Sequence, residues 1–597
     1  MQSVVKVCQH LFDVIVDDLM GSLKPLRGEC ETLQNRSKWD DLFTKVDSFR
    51  NPFKDLESEA AQISHLGEKG VYVSPESYTV GNIQMFVTDK RTRFKKPLME
   101  PVTGQYVSIR KTLVALAAHS DVLKSASCEP LVSSDAGSAC SYKSFTDGKR
   151  WKEHQLHGND VILIRLYKDD FEAANPLGSR KSTYKVGCIY YQFENLPAYK
   201  LSKTDSMFLA LCYHSGDVKE FGWNAVLRPL INDLQKLESN GIDLQMGQQK
   251  KHFKVTVSVV TGDNLFLNGV LGFVESFTAT YPCRHCHLKR SEFPEAVVEN
   301  RKLARTVESY DKALMLGSVQ DTGIKCRSPL YDLKYFHATE NSVQDILHDI
   351  FEGVCAYDIP LICSALIQRH FFDLVGLNFR LQNLTYGIGD CRNKPPVISS
   401  LPVEMLPFEA SQLWCITRML TFAVEDLVSE DDSVWQFYLL LRGIVDIILT
   451  PVVSDADLNI LTVTISEYLD TRKCLFPEHN PKNKHHHLVH YPSLIQKVGP
   501  LCKLWCMRFE SKHQRAKKLV HIGGNFKNVP KSCAIKHQLD FAYHLMKSGL
   551  MSGTGTDTVV GSGCVVTLSE LTDGDDITEC IGNVGQFLRC SKLIGLR

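Results

Sequence analysis

The sequence has no surplus of charge of either sign: Lys and Arg together number 68, and so do Asp and Glu. A chain that held nucleic acid through bulk charge would be basic, so any such binding must come from local patches or from another module. Unbroken apolar runs of about 18 residues, the length a membrane span requires, are lacking. The opening stretch "MQSVVKVCQHLFDVIVDDLM" has neither a cationic lead nor a small-residue cleavage site, so no secretory leader and no membrane partner are expected. Internal repeats and low-complexity tracts are missing too. The 20 cysteines are scattered over 597 residues, which excludes a small disulfide scaffold. They are expected to be reduced, most of them serving as small core residues. Any that bind metal should stand out by spacing.

What is present is a change of pattern along the chain. Residues 1–155 read as a mostly helical region: "VVKVCQHLFDVIVDDLMGSL" and "SIRKTLVALAAHSDVLKSA" carry apolar residues at helical spacing. "SSDAGSACSYKSFTDGK" reads as a linker by composition. Three strand signatures follow, "DVILIRLYKDD", "KVGCIYYQFENL" and "SMFLALCYH". Then come a helix, "FGWNAVLRPLINDLQKLES", and a further strand, "FKVTVSVVTGD". Three strands, a helix and another strand is the opening of an RNase H-like core. The expected fold is therefore α/β plus α. The first part of the core lies at 156–287, a helical insertion at 288–480, the last part of the core at 481–540, and a small β-rich region at 541–597.

Two of these strands close in acid, at Asp169 (with Asp170 beside it) and at Asp263. A third acid, Glu510, opens a basic helical stretch, "RFESKHQRAKKLV". Taken singly, a strand-end Asp usually caps a turn. Taken together, three carboxylates on rigid elements are what a two-metal phosphoryl transfer needs: hard oxygen ligands for Mg²⁺ or Mn²⁺, which clamp the attacking and leaving oxygens.

The blocks "LYKDDFEAANPLGSRKSTYKVGCIYYQFENLP", "TATYPCRHCHLKR", "NSVQDILHDIFEGVC" and "KHHHLVHYPSLIQKVGPLCKLWCMRFESKHQRAKKLVHIGGNFKN" resemble, in this order, the transposases of CACTA-type (EnSpm, CMC superfamily) DNA transposons of animal genomes. The resemblance covers about 160–537. It implies a DDE transposase: an RNase H-like core split by a helical insertion, acting on DNA in the nucleus (with the cytoplasm as the alternative) and self-associating on paired DNA ends. It assigns the catalytic acids to Asp169 (or its neighbour Asp170), Asp263 and Glu510. The family usually carries an N-terminal DNA-binding module, and no paired Cys/His finger or clear helix-turn-helix is seen in 1–155.

Cys283-x-x-Cys286 has zinc-knuckle spacing but is half a site. The histidines of "KHHHLVH" offer the other half. The CxxC follows Asp263 at the same sequence distance at which His490 precedes Glu510. The catalytic subunit of the V(D)J recombinase, a related fold, is similar in sharing a zinc between such a CxxC and two histidines. The expected set is Cys283, Cys286, His490 and one of His485 or His486. Asp345-x-x-His348 is similar to the family's DxxH signature. It puts both side chains on one helix face, for a supporting or metal-binding role in the insertion, with His348 as the substitute zinc ligand. Lys512, His513, Arg515, Lys517 and Lys518 are the expected DNA-backbone contacts; "RTRFKKP" is a weaker basic cluster. Two other readings stay open: a domesticated, non-catalytic DNA- or chromatin-binding protein of the same ancestry, and another RNase H-like nuclease.

Overall fold

The structure, a computed structural model, describes residues 2–30, 36–50, 56, 58–88, 94–120, 122–123, 141–173, 185–523 and 527–552. Its centre is a curled, mixed sheet of seven strands. In chain order the strands are β1 (Glu76–Thr88), β2 (Lys95–Tyr106), β3 (Ser141–Tyr142), β4 (Val161–Glu172), β5 (Lys185–Phe193), β6 (Phe208–His214), β7 (Ile242–Met246), β8 (Gln249–Gly262) and β9 (Val453–Ser454). The large sheet runs β1-β2-β6-β5-β4-β8-β7, and β3 pairs with β9 separately. β4 and β5 are antiparallel, and so are β5 and β6, whereas β8 lies parallel to β4. A parallel neighbour needs a crossover, and the helix Gly216–Ser239 provides it.

The middle strands are apolar on both faces because both faces are covered: every residue of β5 after Lys185 is buried, and so are the first seven of β4. On one face Trp223 of the crossover helix meets Tyr213 edge-on. On the other, Phe509 of the helix Met507–Gly523 stacks on Tyr167 at 4.6 Å between centroids. Burying each such aromatic stabilises the fold by roughly 1.5–3 kcal/mol. A second apolar core lies among the helices Ala356–Gln368, Ala410–Val424, Ser433–Ile448 and Asp455–Leu475. The helical run Leu347–Gln368 is long and apolar enough to cross a membrane, yet 72% of its apolar window is buried inside the protein, as a core helix requires.

Several expectations need correction. The first 155 residues are not only helical, since β1 and β2 form a hairpin that joins the large sheet through β6. Their outer halves are exposed, so the sequence there carries no buried alternation to read. β7, a short hairpin partner of β8, was also not foreseen. The insertion is not helical throughout. From 288 to 346 it is mostly irregular, with short 3₁₀ turns and two helices of ten and four residues, and long helices begin only at Leu347. The region 541–597 was expected to be β-rich; up to Ser552 it continues the helix Val529–Ser552, and 553–597 lies outside the described residues. Parts of the linker, of "RTRFKKP" and of the segment after Ala173 also lie outside them.

Candidate functional site

The register of β4 with its neighbours fixes where the first two acids sit. Lys168 pairs with Gly262 across the parallel strands, so the next residues, Asp169 and Asp263, stand at one level. β4 runs on to Glu172, so Asp169 lies within the strand rather than at its end. Alternation settles which aspartate is turned which way. Asp169 shares its face with Tyr167, whose hydroxyl donates a 3.0 Å hydrogen bond to Glu510 Oε1. Asp170 points to the other face, where its Oδ2 meets the ammonium groups of Lys168 at 2.8 Å and Lys185 at 3.5 Å. Asp263 directly follows β8 and caps the helix Asn264–Val270, its Oδ1 accepting from the Phe266 amide at 2.6 Å. All three acids are half-buried. Among the described residues they are not one of the groups whose ligand atoms all lie within 4.8 Å of one another.

Glu510 is held up to about 7, first by burial and then by the negative charge of Asp169, with His348 pulling the other way. His348 faces it, Nε2 to Oε1 at 3.9 Å. Burial works against the imidazolium of His348, but the hydrogen bond and charge of Asp345 outweigh it and raise the group to about 10. Asp345 grips two segments at once. Its Oδ2 lies 2.5 Å from His348 Nδ1 and also accepts from the His348 amide at 3.2 Å, while its Oδ1 accepts from the Cys506 amide at 2.9 Å. Cys506 immediately precedes the Glu510 helix. The DxxH pair therefore belongs to the acidic site, at the mouth of a π-helical turn, Leu347–Cys355. Asp345, His348 and Cys506 form one group of possible metal ligands.

The basic stretch after Glu510 divides by helical period. Lys512 and His513 face inward with Phe509, Ala516 and Val520 and are buried, which corrects their assignment as DNA contacts. Lys512 reaches Asp540 at 3.4 Å, and His513 packs between Tyr190 and Asp169, 3.6 Å from Asp169 Oδ2. Arg515, Lys517 and Lys518 are exposed on the outer face, Arg515 also pairing with Asp540 at 2.5 Å.

A second site lies where the irregular chain meets the histidine run. Cys283, Cys286, His486 and His490 are all buried, with their ligand atoms within 4.8 Å of one another. Cys283 Sγ lies 3.5 Å from His490 Nε2, Cys286 Sγ 3.2 Å from His486 Nε2, and the two Nε2 atoms 3.4 Å apart. A tetrahedral zinc with bonds of about 2.3 Å to sulfur and 2.0–2.1 Å to nitrogen would separate its ligands by roughly 3.3–3.8 Å, so this donor set fits. The remaining nitrogen of His490 meets Glu299 at 2.6 Å, the carboxylate partner that orients a ligating imidazole. Arg305 Nε donates to the carbonyls of Cys283 (3.0 Å) and Cys286 (3.2 Å), holding the CxxC turn, and Phe293 stacks on His486.

Of the two candidates for the fourth ligand the structure brings in His486. His485 turns instead to Asp358, at 3.1 Å, in a buried cluster with Arg472 and Tyr468. His487 meets Asp349 at 2.9 Å. On one short helical segment consecutive side chains leave in different directions, so each histidine finds its own partner. His348 is not needed at this site. Residues the sequence reading missed are Tyr167, Cys506 and Glu299. Only Tyr167 had a signal, its place two residues before Asp169 on a strand.

No family model matches this chain, and no curated protein matches it.

Proposed function

We propose that the chain is a DDE-type polynucleotidyl transferase with an RNase H-like core, a relative of the CACTA-type transposases, acting on DNA in the nucleus. The observation that carries this reading is the level placement of Asp169 and Asp263 on parallel strands, with Glu510 turned onto the same side through Tyr167. Support comes from the strand order β6-β5-β4-β8 and from the rise of Glu510, caused first by burial and then by the nearby charge of Asp169.

In this reading Asp169, Glu510 and Asp263 would hold Mg²⁺ or Mn²⁺. When bound, such an ion would activate a water or 3′-hydroxyl and offset the charge on the leaving oxygen. The protein's own part is to fix the carboxylates. Tyr167 orients Glu510 by a hydrogen bond, and His348, charged at neutral pH, offsets the crowding of negative charge. Asp345 ties His348 to the start of the Glu510 helix. Arg515, Lys517 and Lys518 lie on the outer face of that helix, where they can meet DNA phosphates. Zn²⁺ is the ion that fits Cys283, Cys286, His486 and His490; a closed set of four leaves no position for substrate, so its role is structural. By resemblance the enzyme assembles with itself on paired DNA ends.

The test is joining of a 3′-hydroxyl DNA end to plasmid in Mg²⁺ or Mn²⁺. Joining by the wild type and none by Glu510→Gln is the expected result; equal product from both overturns the assignment of Glu510. The capping bond of Asp263 favours one second reading, a non-catalytic DNA-binding derivative of the same ancestry. That reading predicts DNA binding with no metal-dependent product.

A further inference from the structure

The row of paired residues that begins at Asp263 and Asp169 does not stop at the acids. Asp169 stands opposite Cys188 on β5, and Cys188 stands opposite Cys212 on β6. Directly paired residues of antiparallel strands point to the same face. Two thiols thus lie on the face that carries Asp169, their sulfurs 3.6 Å apart. The helix Val529–Ser552 brings a third, Cys533, down onto them. The three sulfurs all lie within 4.8 Å of one another, and the three residues are 0%, 0% and 3% exposed. They come from three elements far apart in sequence, so no spacing motif announces them.

We propose that Cys188, Cys212 and Cys533 form a second metal site, distinct from the CxxC site, for a soft thiophilic d¹⁰ ion, of which Zn²⁺ and Cu⁺ are the biological members. The chemistry of the donors selects the class. Three sulfurs without a carboxylate or imidazole in the group suit soft ions and not Mg²⁺, Mn²⁺ or Ca²⁺. The spacing suits it as well, since sulfurs bonded to one ion at about 2.3 Å sit roughly 3.8 Å apart. All three thiols are free rather than disulfide-bonded. Binding exchanges their S–H protons for metal–sulfur bonds, and the protons leave to solvent. The Tyr190 hydroxyl, which interacts with Cys188, offers an oxygen for a fourth position.

The position gives the ion a task. The helix that carries Cys533 also carries Asp540, which holds Lys512 and Arg515 of the Glu510 helix. An ion bonded to Cys533 on one side and to Cys188 and Cys212 on the other fastens this helix pair to the sheet. It does so one residue across from Asp169. The ion thereby sets the separation of Glu510 from Asp169 without touching substrate. The proposal stands on these three cysteines alone and does not depend on the transferase reading.

The experiment is elemental analysis of the purified full chain and of Cys533→Ser, Cys188→Ser and Cys283→Ser. It is followed by titration of the chelator-treated wild type with Cd²⁺, reading the ultraviolet thiolate-to-metal absorption. The expected wild type holds two equivalents of soft metal. Cys533→Ser and Cys188→Ser each lose one equivalent and keep the one that Cys283→Ser loses; whether zinc or copper disappears names the ion. Should a serine variant fail to fold, the titration decides instead: two separate thiolate-to-cadmium steps, one of them from a three-sulfur site, support the proposal. The absence of any step with three-sulfur absorption, or metal content unchanged in folded Cys533→Ser, overturns it. Loss of metal in Cys533→Ser with none lost in Cys283→Ser would support this site while sinking the CxxC one.

Discussion

His348 Nε2 lies 3.9 Å from Glu510 Oε1, with Asp345 gripping the far side of the imidazole. The line Asp345–His348–Glu510 joins the entrance of the insertion's first long helix to the third acid. Removing the imidazolium leaves the buried Asp345 carboxylate without its counter-charge. Replacing His348 with Ala should destabilise the protein by about 3–5 kcal/mol, because Asp345 is then left buried without its cation. Asn at position 345 together with Gln at 348 should recover most of that loss. Chemical denaturation of the two variants beside the wild type checks this.

The same pair gives two windows of pH. Glu510 is raised to about 7 in the folded chain, so folding favours its neutral form. That contribution is complete below the unfolded carboxylate range and disappears as pH climbs to about 7. Glu510→Gln should therefore be more stable than the wild type at pH 8, by an amount on the order of 1 kcal/mol once solvent screening is allowed for. Near pH 4 the two should be alike. His348 is raised to about 10, so its contribution is full below the unfolded imidazole range and fades as pH rises from there through about 10. His348→Gln should flatten the stability curve in that upper window. Thermal melts from pH 4 to 10 separate the two effects.

The histidine run separates into metal-binding and structural members. His486→Ala should release the metal of the CxxC site along with Cys283→Ser. His485→Ala should keep it, yet lose stability on the order of 1–3 kcal/mol, because Asp358 then loses a buried hydrogen-bond partner. Metal analysis paired with melting temperature distinguishes these outcomes.

On the Glu510 helix, exposed and buried cations should behave differently. Lys517→Ala and Lys518→Ala should each lower the salt dependence of DNA binding by about one ion and leave the melting temperature unchanged. Lys512→Ala should instead destabilise the fold, since its ammonium is buried against Asp540. DNA-binding titrations over a range of salt, together with melts, test the division.

How much of this was readable in the sequence depends on periodicity. β4, β5, β6 and β8 were legible because buried strands are dense in Val, Ile and Tyr. The acids were legible because they end those runs. The hairpin β1–β2 was not, since its exposed half needs no apolar alternation. The irregular stretch before Leu347 was read as helical, though many of its turns are held by side-chain caps such as Asn300 and Ser328 rather than by a repeating pattern. His486 could not be told from His485 by spacing alone. The outcome depended on which neighbour, Cys286 or Asp358, the fold brought to each. Lys512 and His513 looked like part of a charged face until the helix was placed on the sheet. The thiols of Cys188, Cys212 and Cys533 were beyond any local reading, because pairing register and a distant helix bring them together.

The central claim is that Asp169, Asp263 and Glu510 act as one metal-dependent unit on DNA. Nicking of supercoiled plasmid by the full chain in Mn²⁺ tests it most directly, comparing the wild type with Asp169→Asn, Asp263→Asn and Glu510→Gln. The account predicts nicking by the wild type that stops with chelator and falls at least about 100-fold in each variant, as expected when a group of a catalytic unit is lost. Nicking that survives all three substitutions, or a well-folded, DNA-bound wild type that never nicks, would contradict it.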